Sequence, residues 1–130
     1  MAPAGDTRTV LVADDDPDIR DLLAFKLEQM GYRVLLAPDG AQALAMATAD
    51  PPDIAVLDLM MPAMTGVDVC RALRQHGETA YVPVILLTAR THERDVQNGF
   101  ASGADDYVTK PFSPRELASR VQAVLARARG

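Results

Sequence analysis

Short apolar segments alternate with longer amphipathic segments along this chain. Five apolar runs, rich in β-branched and large aliphatic residues, predict continuously buried strands: VLVA (10–13), VLLA (34–37), IAVL (54–57), VILLT (84–88) and YVT (107–109). Amphipathic patterns predict helices over 17–30, 40–49, 66–75 and 91–102, and another after Ser113. The segment 91–102 offers few apolar anchors and contains Asn98-Gly99, so we expect it to be the least firmly held element.

The first and last predicted helices carry recognisable start signals. Asp16 is a candidate N-cap and Pro17 occupies the first helical position, where its missing N–H costs nothing. Ser113 and Glu116 have the spacing of a capping box. The helix over 17–30 places its apolar residues on one stripe: Ile19, Leu22, Leu23, Leu27 and Met30.

Alternation of five strands with five helices predicts an α/β fold made of one doubly wound (βα)5 domain, flavodoxin-like, with a parallel sheet in the order 2-1-3-4-5. We expect the domain to span 7–127, preceded by a flexible N-terminus over 1–6 and followed by a tail or linker start over 128–130. Ligands of such sheets bind at the carboxyl ends of the strands, where the strand order reverses.

Polar residues follow four of the five predicted strands. Asp14 and Asp15 end the first strand, Asp58 the third, Thr88 the fourth and Lys110 the fifth. Clustered carboxylates are costly unless a cation joins them, and Mg²⁺ prefers such oxygen ligands. The charges of three carboxylates, one Mg²⁺ and Lys110 sum to zero, which predicts a magnesium site. Phosphoryl transfer needs such neutralisation, with Asp58 as nucleophile and Thr88 donating to a phosphoryl oxygen.

Composition narrows the class of protein. The 130 residues carry a formal net charge of −5, which argues against this domain gripping nucleic acid by itself. Hydrophobic residues make up 48% but aromatic residues only 5%, so the core must be aliphatic. The single Cys70, the lack of a secretory leader and the lack of any apolar run of about 20 residues predict a cytoplasmic protein without membrane contact.

Four motifs together resemble the receiver domain of bacterial two-component response regulators: VADDDPDIR, VLDLMMPAMTG, VILLTAR and GADDYVTKPF, in that family's order. The resemblance implies that Asp58 accepts a phosphoryl group from a phosphohistidine of a sensor histidine kinase. It also implies that Asp14, Asp15, Asp58 and the backbone carbonyl of Met60 bind Mg²⁺. Lys110 is implied to pair with Asp58 and then with its phosphate.

The same resemblance implies a signalling switch rather than an enzyme that acts on other substrates. Such a domain catalyses only its own phosphorylation and dephosphorylation. Thr88 is implied to be drawn to the phosphate, and Tyr107 to turn inward in response. Lys110-Pro111 corresponds to a peptide bond that is cis in this family.

The stretch GADDYVTKPFSPRELASR resembles the winged-helix (OmpR/PhoB-type) DNA-binding subfamily of regulators. That likeness implies a role in transcription regulation and a homodimer upon phosphorylation through the output face, meaning segment 91–102, the last strand and the last helix. Asp105 or Asp106 would reach Arg120 of the other chain, and Glu116 would seek a basic residue in segment 91–102. Val96 occupies the usual basic position, and DNA would be contacted only through an output domain not present in these residues.

Three other interpretations compete with this one. Haloacid-dehalogenase-like phosphohydrolases also carry an Asp-x-Asp pair after a strand, but they have Thr or Val where Asp18 stands here. Flavodoxin-like FMN carriers share the strand order, but a triple Asp would repel the phosphate of FMN. A pseudo-receiver would keep the fold and respond to a different signal.

Overall fold

The computed structural model describes residues 7–89 and 103–128. Its strands are β1 (Thr9–Ala13), β2 (Arg33–Ala37), β3 (Ile54–Asp58), β4 (Val84–Ala89) and β5 (Asp106–Lys110). The helices within the described residues are α1 (Pro17–Gln29), α2 (Gly40–Ala49), α3 (Gly66–Gln75) and α4 (Pro114–Ala128). The helix predicted over 91–102, the flexible N-terminus predicted over 1–6, and residues 129–130 of the predicted tail lie outside the described residues.

All five strands are parallel and lie in the order β2-β1-β3-β4-β5, which confirms the predicted topology. The strand order reverses between β1 and β3, which pair directly through Leu11 and Ala55 among others. Because parallel strands share their direction, the carboxyl ends of β1, β3, β4 and β5 meet at one edge of the sheet. This edge carries the polar residues singled out in the sequence.

The core is divided by the sheet into two aliphatic layers. Alternate strand residues such as Leu11 and Leu57 pack with residues of α2 and α3 on one face. Their neighbours Val10 and Val56 pack with residues of α1 and α4 on the other. Every residue of β3 is buried, because a central strand of a parallel sheet is covered on both faces. Packing on both faces therefore fixes the backbone position of the strand that carries Asp58.

Side-chain caps fix where the helices begin. The Asp16 carboxylate accepts a hydrogen bond from the Asp18 N–H, and Pro17 follows it, as predicted for α1. Thr65 and Asp68 form a reciprocal capping box at the start of α3. At the start of α4, the Ser113 hydroxyl accepts from the Glu116 N–H at 3.0 Å. These caps set the short turns that follow β1, β3 and β5.

The apolar stripe predicted for α1 is only partly buried. Leu23 and Leu27 are each 1% exposed, whereas Leu22 is 52% exposed. The reason is geometric: Leu22 lies on the flank of α1, where it lines an open groove beside the turn at Pro111 and Phe112. Phe25, one helical turn further on, is also exposed. No helix of the described residues is long and apolar enough to cross a bilayer.

The turn after β3 folds back tightly against the end of that strand. The Gly66 N–H donates to the Leu59 carbonyl at 3.0 Å, and Ala63 has a positive φ of 69°. A Cβ atom at Gly66 would lie 2.6 Å from the Asp58 carbonyl oxygen. Only glycine allows α3 to begin this close to the strand end, so Gly66 fixes the backbone that carries Asp58.

We expect Gly66→Ala to destabilise the protein by about 1–3 kcal/mol, because the added methyl group must displace backbone atoms. Gly77→Ala is the matched control, since a Cβ atom there meets nothing within 4 Å. Its effect should stay within about 0.5 kcal/mol. Urea unfolding of both variants measures the difference. Equal stabilities for the two variants would contradict the close approach at Gly66.

Candidate functional site

Three carboxylates meet at the carboxyl edge of the sheet. Asp14 and Asp15 follow β1, Asp58 ends β3, and one oxygen from each lies within 4.8 Å of the other two. Asp14 is 0% exposed and Asp58 is 5% exposed, whereas Asp15 is exposed. The structure thus brings together the three acidic residues that the sequence placed at strand ends. Such a set of oxygen donors fits a hard divalent cation, which prefers carboxylate ligands.

Lys110 supplies the positive charge next to these carboxylates. Its Nζ lies 3.0 Å from Asp14 Oδ2 and 3.5 Å from Asp58 Oδ2. The ammonium therefore bridges the two buried acids, with the shorter contact to Asp14. The resemblance implies that Lys110 pairs with Asp58, and the structure adds the contact with Asp14. The Lys110-Pro111 peptide bond is cis, as the resemblance implied.

Backbone groups complete the surroundings of the buried acids. The Asp16 N–H donates to Asp14 Oδ1 at 2.9 Å, and the Met60 N–H donates to Asp58 Oδ1 at 3.3 Å. Met60 thus contacts the cluster through its amide, while its side chain is 66% exposed. Thr88 is buried at the end of β4, one position beyond the residue that pairs with Asp58. Its hydroxyl donates to the Ala89 carbonyl at 3.2 Å.

The cluster shifts the pKa values of two of its members. The pKa of Asp58 is raised to about 6, mainly by burial and then by the neighbouring charge of Asp14, against the opposing effects of Lys110 and the Met60 N–H. Burial by itself lowers the pKa of Lys110. The hydrogen bond from Lys110 to Asp14 and the charges of Asp58 and Asp14 outweigh burial, so the net pKa of Lys110 is raised. An uncompensated negative charge therefore remains at Asp58 in the ion-free protein.

Three of the four residues predicted for a dimer interface have side-chain partners within the chain. Asp105 Oδ2 accepts from the Val84 N–H at 2.8 Å and lies 3.2 Å from the Arg74 guanidinium. Asp106 Oδ2 lies 3.2 Å from Arg120 Nη1 on α4. Glu116 is exposed in the first turn of α4, and Tyr107 is half-buried in β5. Asp106, Arg120, Glu116 and Tyr107 are placed where they could contact a second copy. The carboxylate of Asp105 is already bound by Val84 and Arg74 of the same chain.

Two arginines whose side chains donate to backbone carbonyls were not singled out in the sequence. Arg74 donates to the carbonyls of Val82 at 2.6 Å and Gly103 at 2.7 Å, and so ties α3 to the segments before β4 and β5. Arg20 donates to the carbonyl of Asp14 at 2.8 Å. The sequence offers only an indirect signal for the contact of Arg74, which is the glycine at position 103. In the structure Gly103 has a φ of +101°, and its lack of a side chain leaves room for the guanidinium of Arg74. No local pattern indicates the contact of Arg20.

The raised pKa of Asp58 predicts a pH-dependent stability of the ion-free protein. A carboxyl group with a higher pKa in the folded than in the unfolded protein favours the folded state when protonated. Stability should therefore fall as the pH rises from 3.8 through about 6. Asp58→Asn should raise the free energy of unfolding at neutral pH by up to about 3 kcal/mol. Thermal unfolding against pH, in the presence of a chelator, measures this.

The gain from Asp58→Asn should shrink as the pH falls below 6, because wild-type Asp58 then becomes neutral as well. Asp21→Asn on the exposed side of α1 is the control, and it removes the same charge without touching the cluster. If Asp58→Asn leaves the stability at neutral pH unchanged, the negative charge at Asp58 does not destabilise the folded protein, which contradicts the raised pKa.

Comparison with known proteins gives one consistent result. Residues 10–122 match the family model of the response regulator receiver domain. The chain is 47% identical over 120 residues to the alkaline phosphatase synthesis transcriptional regulatory protein PhoP of Bacillus subtilis. That match covers 92% of this chain but 49% of the relative. The chain thus spans about half the length of the curated relatives it matches.

Solved structures agree with the family match. The chemotaxis response regulator CheY4 of Vibrio cholerae superposes with a TM-score of 0.86 at 36% identity, covering 91% of this chain and 98% of that one. The receiver domain of the sensor histidine kinase PA1611 from Pseudomonas aeruginosa superposes with a TM-score of 0.84 at 31% identity, covering 92% and 98%. The PA1611 structure has a magnesium ion coordinated in its active site cleft.

These matches favour the receiver interpretation over a dehalogenase-like phosphohydrolase or an FMN carrier. The family model covers the three clustered carboxylates and all strand residues except Thr9, and the relatives include proteins named as DNA-binding regulators. The chain belongs to the response regulator receiver domain family.

Proposed function

We propose that Asp58 accepts a phosphoryl group from the phosphohistidine of a sensor histidine kinase, and that this event switches the output face. The observation that carries the proposal is the cluster itself: three carboxylate oxygens within 4.8 Å of one another, with an ammonium 3.0 Å from one acid and 3.5 Å from another. An arrangement that concentrates negative charge at a sheet edge is costly, and it is typical of a cation-dependent phosphoryl site.

The transfer uses an oxygen of the ionised Asp58 carboxylate as nucleophile. A bond forms between this oxygen and phosphorus, the bond between phosphorus and the imidazole nitrogen of the donor breaks, and the imidazole leaves with the electron pair. Because the pKa of Asp58 is about 6 in the ion-free protein, the ionised form predominates at neutral pH. The product is an acyl phosphate, and no external oxidant or reductant is needed.

The neighbouring residues have separate roles in this proposal. Asp14, Asp15 and Asp58, with the Met60 carbonyl, would hold Mg²⁺, whose charge neutralises the phosphoryl oxygens when it is bound. Lys110 lies close enough to Asp58 to pair with a phosphoryl oxygen on that residue. These residues would catalyse only the phosphorylation and dephosphorylation of Asp58 itself, and no reaction on other substrates.

The switch follows from the change in charge and hydrogen bonding at Asp58. Phosphorylation changes its charge from −1 to about −2 and adds three acceptor oxygens. The buried Thr88 hydroxyl, which donates to the Ala89 carbonyl in this structure, would exchange that acceptor for a phosphoryl oxygen. Tyr107 on the adjacent strand β5 is half-buried and would turn inward. Thr88 and Tyr107 thereby link the site to the output face.

We further propose that the switched protein regulates transcription in the cytoplasm. Support comes from relatives that are named as DNA-binding regulators and are about twice as long as this chain. DNA contact would need an output domain outside these residues. Receiver pairing through β5, α4 and segment 91–102 would bring two output domains together. Val96, which occupies the position where the subfamily has a basic partner for Glu116, lies outside the described residues.

Incubation with acetyl phosphate and Mg²⁺ should add one phosphoryl group to the wild-type protein, seen by intact mass spectrometry. Asp58→Asn should add none, because the amide is not a nucleophile for phosphorus. Asp50→Asn is the control, since Asp50 is exposed beyond α2 and pairs with Arg33 away from the cluster. Phosphorylation of Asp58→Asn at the wild-type rate would show that another residue accepts the group.

Phosphorylated protein should double its mass in solution, measured by light scattering at increasing concentration. Arg120→Glu should shift the doubling to higher protein concentration, because it places a negative charge opposite Asp105 or Asp106 of the second copy in the proposed contact. Arg115→Glu makes the same change at another exposed position of α4 and should still dimerise. Mass spectrometry confirms that each variant carries phosphate. A wild-type protein that stays monomeric when phosphorylated contradicts pairing through the output face.

A further inference from the structure

We propose that Arg20 is a positioning residue for the cation site: its hydrogen bond to the Asp14 carbonyl orients the Asp14-Asp15 peptide so that the Asp15 carboxylate faces the ion. This inference rests on the proposed function, because it concerns the same three carboxylates. Arg20 lies on α1 and is not itself a ligand, but it would influence the affinity for Mg²⁺.

The contact reaches across the whole turn between β1 and α1. Arg20 Nη1 lies 2.8 Å from the Asp14 carbonyl oxygen, six residues earlier in the chain, and the side chain is half-buried. The backbone N–H of Arg20 donates to the Asp16 carbonyl at 3.1 Å. The same residue therefore holds the turn at two points. A hydrogen bond from a guanidinium to a carbonyl is charge-assisted, which makes it stronger than a neutral one.

Asp14 does not need Arg20 for the placement of its own carboxylate. One carboxylate oxygen accepts from the Asp16 N–H and the other from Lys110, and the Asp14 N–H donates to the Ala37 carbonyl at 3.2 Å. The carbonyl is the remaining polar group of Asp14, and Arg20 is its partner. The guanidinium thus acts on the peptide group that follows Asp14.

Asp15 is the ligand whose direction depends on that peptide group. Its side chain is exposed, so packing does not fix it, unlike the buried side chains of Asp14 and Asp58. The Asp14 carbonyl and the Asp15 N–H belong to one planar peptide unit. A change in the ψ angle of Asp14 would turn this unit and displace the Asp15 Cα, and with it the side chain, away from the other two carboxylates. A hydrogen bond that holds the carbonyl therefore holds the direction of Asp15.

Charge alone is a competing explanation for any effect of Arg20. The loss of a positive charge near three carboxylates would by itself strengthen Mg²⁺ binding, because like charges repel, and a lysine would keep that charge. The planar guanidinium, however, presents its donors in a fixed geometry that a flexible ammonium does not reproduce. Replacement by lysine therefore separates the two explanations, since it keeps the charge and removes the directed hydrogen bond.

The experiment titrates the full chain with Mg²⁺ and follows the Asp15 amide by NMR. We expect Arg20→Met and Arg20→Lys to weaken Mg²⁺ binding by about 10-fold or more, as loss of an outer partner of a metal ligand does. The Asp15 amide signal should also shift in the ion-free variants. Arg33→Met is the control: it removes the same charge from an exposed residue at the start of β2, at the other edge of the sheet.

Phosphorylation by acetyl phosphate supplies a second readout. At saturating Mg²⁺ both Arg20 variants should reach the wild-type rate, because Arg20 affects the binding of the ion and not the attack by Asp58. A general loss of structure would instead lower the rate at every Mg²⁺ concentration. Should Arg20→Met fail to fold, Arg20→Lys and the ion-free Asp15 signal still decide the matter.

Two results would overturn the inference. Arg20→Lys with wild-type affinity would show that charge suffices, and two variants with wild-type affinity would show that Arg20 has no role in binding. If the wild-type protein binds Mg²⁺ but Asp58 is not phosphorylated, the proposed function fails while the ratio of affinities still tests Arg20. A wild-type protein that binds no Mg²⁺ would overturn both.

Discussion

Mutual repulsion among carboxylates that cannot move apart is the constraint on which this structure depends. Asp14 follows β1 and Asp58 ends the adjacent strand β3, so their separation is set by the hydrogen-bonding register of these two strands. Burying unpaired charges costs several kcal/mol per ion, and Asp14 and Asp58 are only 0% and 5% exposed. The aliphatic core on both faces stabilises the sheet enough to hold the charges in place.

Lys110 relieves this repulsion only in part. One ammonium next to two buried acids leaves one negative charge uncompensated, and the pKa of Asp58 is raised to about 6 as a result of burial and of the charge on Asp14. The same imbalance makes the site receptive to a divalent cation. A site that is unfavourable when empty gains more on binding than one that is already neutral. The uncompensated negative charge thus both lowers the stability of the ion-free protein and favours binding of a divalent cation.

Much of the fold and of the site could be predicted from the sequence, because both depend on periodicity and topology. Runs such as IAVL are buried on both sides, and a parallel sheet brings Asp14, Asp15 and Asp58 to one edge whatever the details of packing. The pairing of Lys110 with Asp14 could not be predicted, since it depends on a side-chain conformation among several acids. The exposure of Leu22 likewise depends on how α1 lies against a distant turn.

The Asp106–Arg120 ion pair within one chain limits what a second copy can gain from the same residues. Both charges already have a partner, so an interface that reuses them exchanges one ion pair for another of similar strength. The difference between two such pairs is small at a solvated surface. The free energy of any association through this face must then come from apolar contact, and the charges would determine which partner is accepted rather than how tightly it is held.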